Sequence, residues 1–439
     1  MTRKMRGAAI VALGASVTLL ASACAGQGGG TGGGGGDDAG GGGDENTIVW
    51  WHNSNNEPGR GFYEQVAADF EEANPGVTIE IEAQAHEDML TKLDAAFQSG
   101  DMPDIYMERG GGELAAHVEA GLVRDLTEDA AEEIEKIGGS VAGWQVEDKT
   151  YALPFSMGVV GFWYNKALFE QAGITEAPAT LDDFYAAIDK LKAAGIDPIS
   201  VGAGDGWPAA HYWYYTALRH CSQDVLEGAV TSLDFSDPCF VDAGTTVEEI
   251  IAKEPFNPGF LTTPAQTGPT SASGLLATGK VAMELAGHWE PGVMQGLTED
   301  GKGLGENTGW FPFPEIPGGQ GDPTAQLGGG DAWAVSEGAP DIAVDFVKHL
   351  LSDEVQKGFA ENDMGLPTNP AAVGSVTDPA LADLLTIRDE APFIQLYFDT
   401  AFGESIGGAM NDEIELLFAG QATAQDVVDA TQAAADAEQ

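Results

Sequence analysis

The sequence predicts an α/β protein of two lobes with a ligand cleft between them. Strand and helix patterns alternate through short turns in two separate stretches of the 439-residue chain. With 43% hydrophobic residues, the chain can fill more than one core. Its charge narrows the partners: 19 Lys and Arg against 70 Asp and Glu give a formal net charge of −51. Such a surface repels phosphates, which argues against nucleic acid and anionic lipid as partners. Beyond residue 23 no apolar run approaches the roughly 20 residues that a spanning helix needs.

Along the chain, Arg3, Lys4 and Arg6 precede an apolar stretch from Ala8 to Ala21, then Ser22, Ala23 and Cys24. This pattern reads as an export signal over residues 1–23. From Gly26 to Asp44, 13 of 19 residues are glycine, so residues 24–45 read as a tether. Its G-x-G-x-x-G matches carry no nucleotide-binding meaning, because no strand precedes them and no helix follows. Export also predicts a disulfide between the remaining cysteines, Cys221 and Cys239. Closing a loop of about 18 residues stabilises by roughly 3 kcal/mol in the chain-entropy view.

Thr47 to Trp51 is a strand candidate. Phe62, Val66 and Phe70 share one helix face, and the helix stops at Asn74-Pro75-Gly76. Val77, Ile79 and Ile81 alternate as a second strand, Met89 to Phe97 mark a second helix, and Asp104 to Met107 a third strand. A parallel-type sheet flanked by helices is expected. The alternation resumes with a strand over 158–164, helices over 167–172 and 181–194, and a strand over 199–201. Later come a strand over 333–335 and a helix over 342–351. Ligands of such sheets bind beyond the carboxyl ends of the strands, so both lobes should present those ends to the cleft.

Catalytic signatures are missing. Gly403-Glu404-Ser405-Ile406-Gly407 matches a nucleophile elbow, but no histidine follows it; the last is His349. There is no H-E-x-x-H, no phosphate-binding loop and no Cys-rich metal pattern. Seventy acids contain close carboxylate pairs, yet none stands out for glycosidase work. A binder is favoured; the alternative is an exported glycoside hydrolase or carbohydrate-modifying lipoprotein.

Leu20-Ala21-Ser22-Ala23-Cys24 resembles a lipobox, which implies lipidation of Cys24 and anchoring to the outer face of the cytoplasmic membrane. The motifs T-I-V-W-W-H-N (47–53), S-G-D-M-P-D-I (99–105), W-Y-N-K-A-L-F-E-Q-A-G (163–173), G-K-V-A-M-E-L-A-G-H-W (279–289) and G-G-G-D-A-W-A-V-S (328–336) follow one another. In order and spacing they resemble the carbohydrate-binding extracellular solute-binding proteins of bacterial ABC importers. The resemblance implies a periplasmic-binding-protein-like fold with hinge crossings near 157, 329 and 367. Lobe one would take 46–156 plus 329–367, and lobe two 157–328 plus 368–439. It implies an oligosaccharide ligand, lobe closure, delivery to a permease, a monomer, and neither cofactor nor metal.

A neutral sugar offers C–H faces that suit flat aromatics and hydroxyls that suit carboxylates and amides. Trp289 and Trp207, each among turn residues, are the candidate stacking platforms, and Asp331, after three glycines, is the candidate hydroxyl acceptor. His52, Asn53, Asn55 and Glu57 follow the first strand at the rim. Glu108 and Arg109 follow the third strand and resemble the family's cleft-lining polar pair. Phe155 lies on a lobe crossing, and Phe402 corresponds to an aromatic the family often carries on the last helix of lobe two. Trp50, Trp163 and Trp310 read as core. Maltodextrin-binding members carry a Glu where this chain has Gly158, so that specificity does not transfer.

Overall fold

The computed structural model describes residues 46–438; the export signal, Cys24 and the tether lie outside them. Two sheets organise the chain. The larger joins β1 (Thr47–His52), β2 (Thr78–Ala83), β3 (Ile105–Glu108), β11 (Gln326–Val335) and β12 (Ile394–Leu396) in the order β12-β11-β3-β1-β2, with β6 (Ala152–Val159) paired to β11. The smaller runs β10-β7-β9-β8 from β7 (Gly161–Asn165), β8 (Asp197–Ser200), β9 (Val281–Ala286) and β10 (Thr308–Phe311). A short hairpin of β4 (Gln145–Val146) and β5 (Lys149–Thr150) stands apart.

Both sheets are mixed, where a parallel-type sheet is expected from the sequence. β1 is parallel to β2 and β3, β8 to β9, and β11 to β12; β11 is antiparallel to β3 and β6, and β7 to β9 and β10. The strands of these antiparallel pairs lie far apart in sequence and are not hairpins, so the local strand–helix alternation does not fix their direction. The expected strand over 158–164 breaks at Val160. There the chain leaves the larger sheet as β6 and enters the smaller one as β7.

One core gathers around the larger sheet. Trp50 meets Tyr63, Trp333 and Phe346 edge-on, with centroids 5.1–5.2 Å apart, and Phe155 stacks on Trp333 at 4.4 Å. A second core surrounds the helix Trp207–His220, whose residues 208–219 are all buried. It holds Arg219, which donates to backbone oxygens of Phe313, Pro314, Asp322 and Ala325. Without those acceptors a buried guanidinium would cost several kcal/mol. The Cys221–Cys239 disulfide joins the end of this helix to the start of helix Pro238–Ala252. Trp50, Trp163 and Trp310 are buried.

Three segments run side by side between the cores. β6 and β11 share the first core through Ala152, Leu153, Phe155, Ala332 and Trp333, and β11 also reaches the second through Leu327. Met157 donates its backbone N–H to the Leu366 oxygen, and Ser156 bridges to Pro367. The glycines before Asp331 allow close approach rather than a turn. A Cβ on Gly330 would lie 1.9 Å from the Ser156 oxygen, and one on Gly328 2.3 Å from that of Gly158.

Candidate functional site

A cleft of about 640 Å³ opens between the two lobes, within the 300–1,000 Å³ range of small-molecule sites. Its walls are the loops and helix starts that follow strand ends. Asn53 follows β1, His86 and Glu87 follow β2, and Arg109 follows β3. Opposite them, Trp207 follows β8, and His288 and Trp289 follow β9. Four helices begin on the cleft: Gly59–Ala73, His86–Ser99, Trp207–His220 and Glu290–Gly296. The third starts sharply because Gly206 takes φ +73° and Pro208 suits the first turn.

Asn53, Asn55, Glu57, Arg109, Phe155, Trp207, Trp289 and Asp331 line this cleft. His52, Glu108 and Phe402 do not, which corrects the sequence expectation. His52 is 1% exposed, tilted against Trp50 and Tyr63, and burial holds its imidazole down to about 3. Glu108 is 1% exposed; its carboxylate accepts the backbone N–H groups of Arg109 and Gly110 and pairs with His117. The physical reason is parity: successive side chains along a strand face opposite ways, so Asn53 and Arg109 reach the cleft while their predecessors turn into the fold. Phe402 lies edge-on to Phe235 inside the second core, in the short helix Phe398–Phe402 rather than in the last helix.

Trp207 and Trp289 stand edge-to-face, centroids 6.1 Å apart and planes at 74°. The Trp207 ring also meets His211 at 5.0 Å, and Trp289 meets His288 at 5.3 Å. Tyr397 stacks on His211 at 5.2 Å. Burial holds the His211 and His288 imidazoles down to about 3, so both are neutral. Among the described residues, buried Nε1 of Trp289, Nδ1 of His211 and His288, the Tyr397 hydroxyl and Nε of Arg109 have no hydrogen-bond partner. Each such atom costs about 1–3 kcal/mol, and all belong to cleft-lining residues. A ligand with hydroxyl groups would satisfy them.

Asp331 sits at the junction of the lobes. Burial raises its carboxyl to about 6, with the Arg109 guanidinium opposing. Arg109 donates to Glu113 at 2.5 Å and lies 3.6 Å from Asp399. Burial acts against its charge, but Glu113 and Asp399 outweigh that and raise its proton affinity. Gly158, where maltodextrin-binding relatives carry Glu, has no room for one: a Cβ there would lie 2.4 Å from the His288 ring. Sequence reasoning missed Glu87, His211, Tyr397 and Asp399. For His211 a signal existed, since it lies one helical turn after Trp207 and so shares its face. Among the described residues, no group of three or more His, Cys, Asp or Glu side chains is placed to hold a metal.

Comparison with known proteins places this geometry. The diacetylchitobiose-binding protein of Streptomyces coelicolor is 26% identical over 72% of this chain and 72% of its own length. The match to the first curated relatives spans about half of their length, 48%. A solved structure from work on xylan utilisation by Caldanaerobius polysaccharolyticus superposes with a TM-score of 0.80 at 24% identity, covering 88% of this chain and 99% of that one. A chitin-oligosaccharide-binding protein gives a TM-score of 0.80 at 24% identity over 89% and 98%. At those identities the likeness establishes the two-lobe fold. Residues 53–357 match the family described as bacterial extracellular solute-binding protein, and the chain belongs to that family.

Proposed function

We propose that the protein captures an oligosaccharide between its lobes and delivers it to the permease of an ABC importer. The observation that carries this reading is the cleft itself: two indoles at 74°, a half-buried carboxyl and five buried polar atoms without partners among the described residues converge on one volume. The indoles suit the C–H faces of pyranose rings, and Asp331 suits a hydroxyl donor. Lobe boundaries near 156, 328 and 367 would let β6, β11 and the segment before Pro367 flex as the hinge, closing the lobes on a ligand that touches both. A relative named as a diacetylchitobiose-binding protein supports an oligosaccharide as the ligand. Cys24, if lipidated, would hold the protein on the outer face of the membrane, with the tether setting its reach to the permease.

A thermal-shift screen of purified protein against oligosaccharide libraries tests this, with product analysis in the same wells. Binding raises the midpoint as RT ln(1 + [L]/Kd), and the sugar should be recovered intact. No shift with any saccharide, or steady cleavage, overturns the reading.

A further inference from the structure

A hydrogen bond crosses the cleft between two helix starts. Nε1–H of Trp207 donates to Oε1 of Glu87 at 2.9 Å. Glu87 lies in the first turn of helix His86–Ser99, which is fixed in the first core through Met89, Leu93 and Ala96. Trp207 opens the helix at the centre of the second core. The bond therefore exists only while the lobes are together. Trp207 in turn meets Trp289 and His211 edge-on or tilted, so the acceptor on the far lobe fixes the angle of the indole.

We propose that Glu87 is a positioning residue that latches Trp207 across the cleft, and that shutting the latch takes up a proton on the Glu87 carboxyl. This rests on the oligosaccharide-capture reading above. The charge around Glu87 sets the sign. Facing it are Asp205 from the turn before Trp207, Asp399 from helix Phe398–Phe402, and Arg109, which Glu113 and Asp399 already engage. Glu415 of helix Glu404–Phe418 stands behind Asp205, close to Gly206. On its own helix are Asp94 and His86, whose imidazole burial and Arg109 hold down to about 4; His211 is neutral. Closure removes water from Glu87 and adds two carboxylates from the other lobe.

Burial pushes Glu87 up to about 7 in the shut cleft, against the hydrogen bond from Trp207, which favours the ionised form. With the lobes apart it returns towards the ordinary carboxylate value of 4.5. A group with higher proton affinity in the closed form favours closure below its open-state value and loses that contribution as pH rises through its closed-state value. The indole is held in either protonation state, because one carboxyl oxygen still accepts.

The test uses the full chain with 15N-labelled tryptophan, followed by indole N–H resonances from pH 5 to 8.5. The Trp207 signal, assigned with Trp207→Phe, should titrate near pH 7 in the wild type and be flat in Glu87→Gln. Chitopentaose and xylopentaose then serve as probes in calorimetry. Wild-type affinity should be about ten- to a hundredfold higher at pH 5 than at pH 8. Glu87→Gln should lose the pH dependence, while Glu87→Ala should lose affinity at every pH. A pH-invariant Trp207 signal, or an unchanged titration in Glu87→Gln, overturns the latch. If neither probe binds while the signal titrates as expected, the latch stands and the choice of sugar is what fails.

Discussion

The two walls of the cleft are built from different chemistry and are left in different states. On the side of the larger sheet, side chains at strand ends largely satisfy one another. Asn53 bonds His86 at 3.2 Å, Glu57 accepts the Gly61 N–H at 3.2 Å, and Arg109 pairs with Glu113. The side of the smaller sheet carries both cleft indoles, with Trp289 Nε1, His211 Nδ1, His288 Nδ1 and the Tyr397 hydroxyl unpartnered. Polar atoms already paired gain little from a ligand, and orphaned ones gain a full hydrogen bond. On the oligosaccharide-capture reading, capture should start on the aromatic wall and the polar wall should close over it. Unequal mutational effects on the two sides follow.

Trp289→Ala should cause the largest loss, because it removes a platform and unseats its neighbour Trp207. Truncation of a central aromatic anchor costs about 2–4 kcal/mol, thirty- to a thousandfold in Kd, mostly through faster dissociation. Calorimetry and stopped-flow with the best sugar of the screen would read it; a loss below threefold would break the asymmetry. Asp331→Asn comes next. A hydrogen bond to a charged group contributes about 1.5–3 kcal/mol, so a ten- to hundredfold loss is expected, with the fold retained because the amide occupies the same volume.

How much of this was legible depends on range. Strands and helices were readable because hydrophobic period is local, and Trp207, Trp289 and Asp331 were readable because turn residues and glycines flank them. His52 and Glu108 failed because one residue of parity at a strand end separates cleft from core. The partners that complete the site lie far off in sequence. Glu87 reads only as an acid in a helix's first turn, where it also complements the dipole. Nothing local signals that an indole 120 residues away will reach it.

Behind the aromatic wall, the Ser273 hydroxyl lies 3.2 Å from a Glu284 oxygen and 3.1 Å from a Glu290 oxygen and can donate its one proton to either; all three are buried, with no cation among their hydrogen-bond partners in the described residues. Burial raises the proton affinity of both carboxyls. Groups raised in the folded state stabilise it below their unfolded values, near 4.5, and that contribution disappears as pH climbs through the folded values. Stability should therefore fall between pH 5 and 9, by about 1.4 kcal/mol for each unit of elevation, and the melting temperature with it. Glu290→Gln should flatten the profile by several degrees at pH 9. An unchanged slope in scanning calorimetry would remove the buried pair as its cause.

The smallest effect belongs to the rim of the polar wall, and it is the sharpest test of the contrast. Asn56 and Glu57 are exposed, and the Glu57 carboxylate is committed to the Gly61 N–H at a helix start. A side chain in water that already has a partner exchanges one hydrogen bond for another when a sugar arrives, so the net gain is below about 1 kcal/mol. Asn56→Ala and Glu57→Gln should each change Kd by less than fivefold, and their product should equal the double variant because the two do not share a partner. If either variant instead matched Trp289→Ala, the polar wall would be a primary contact surface and closure would have to begin there.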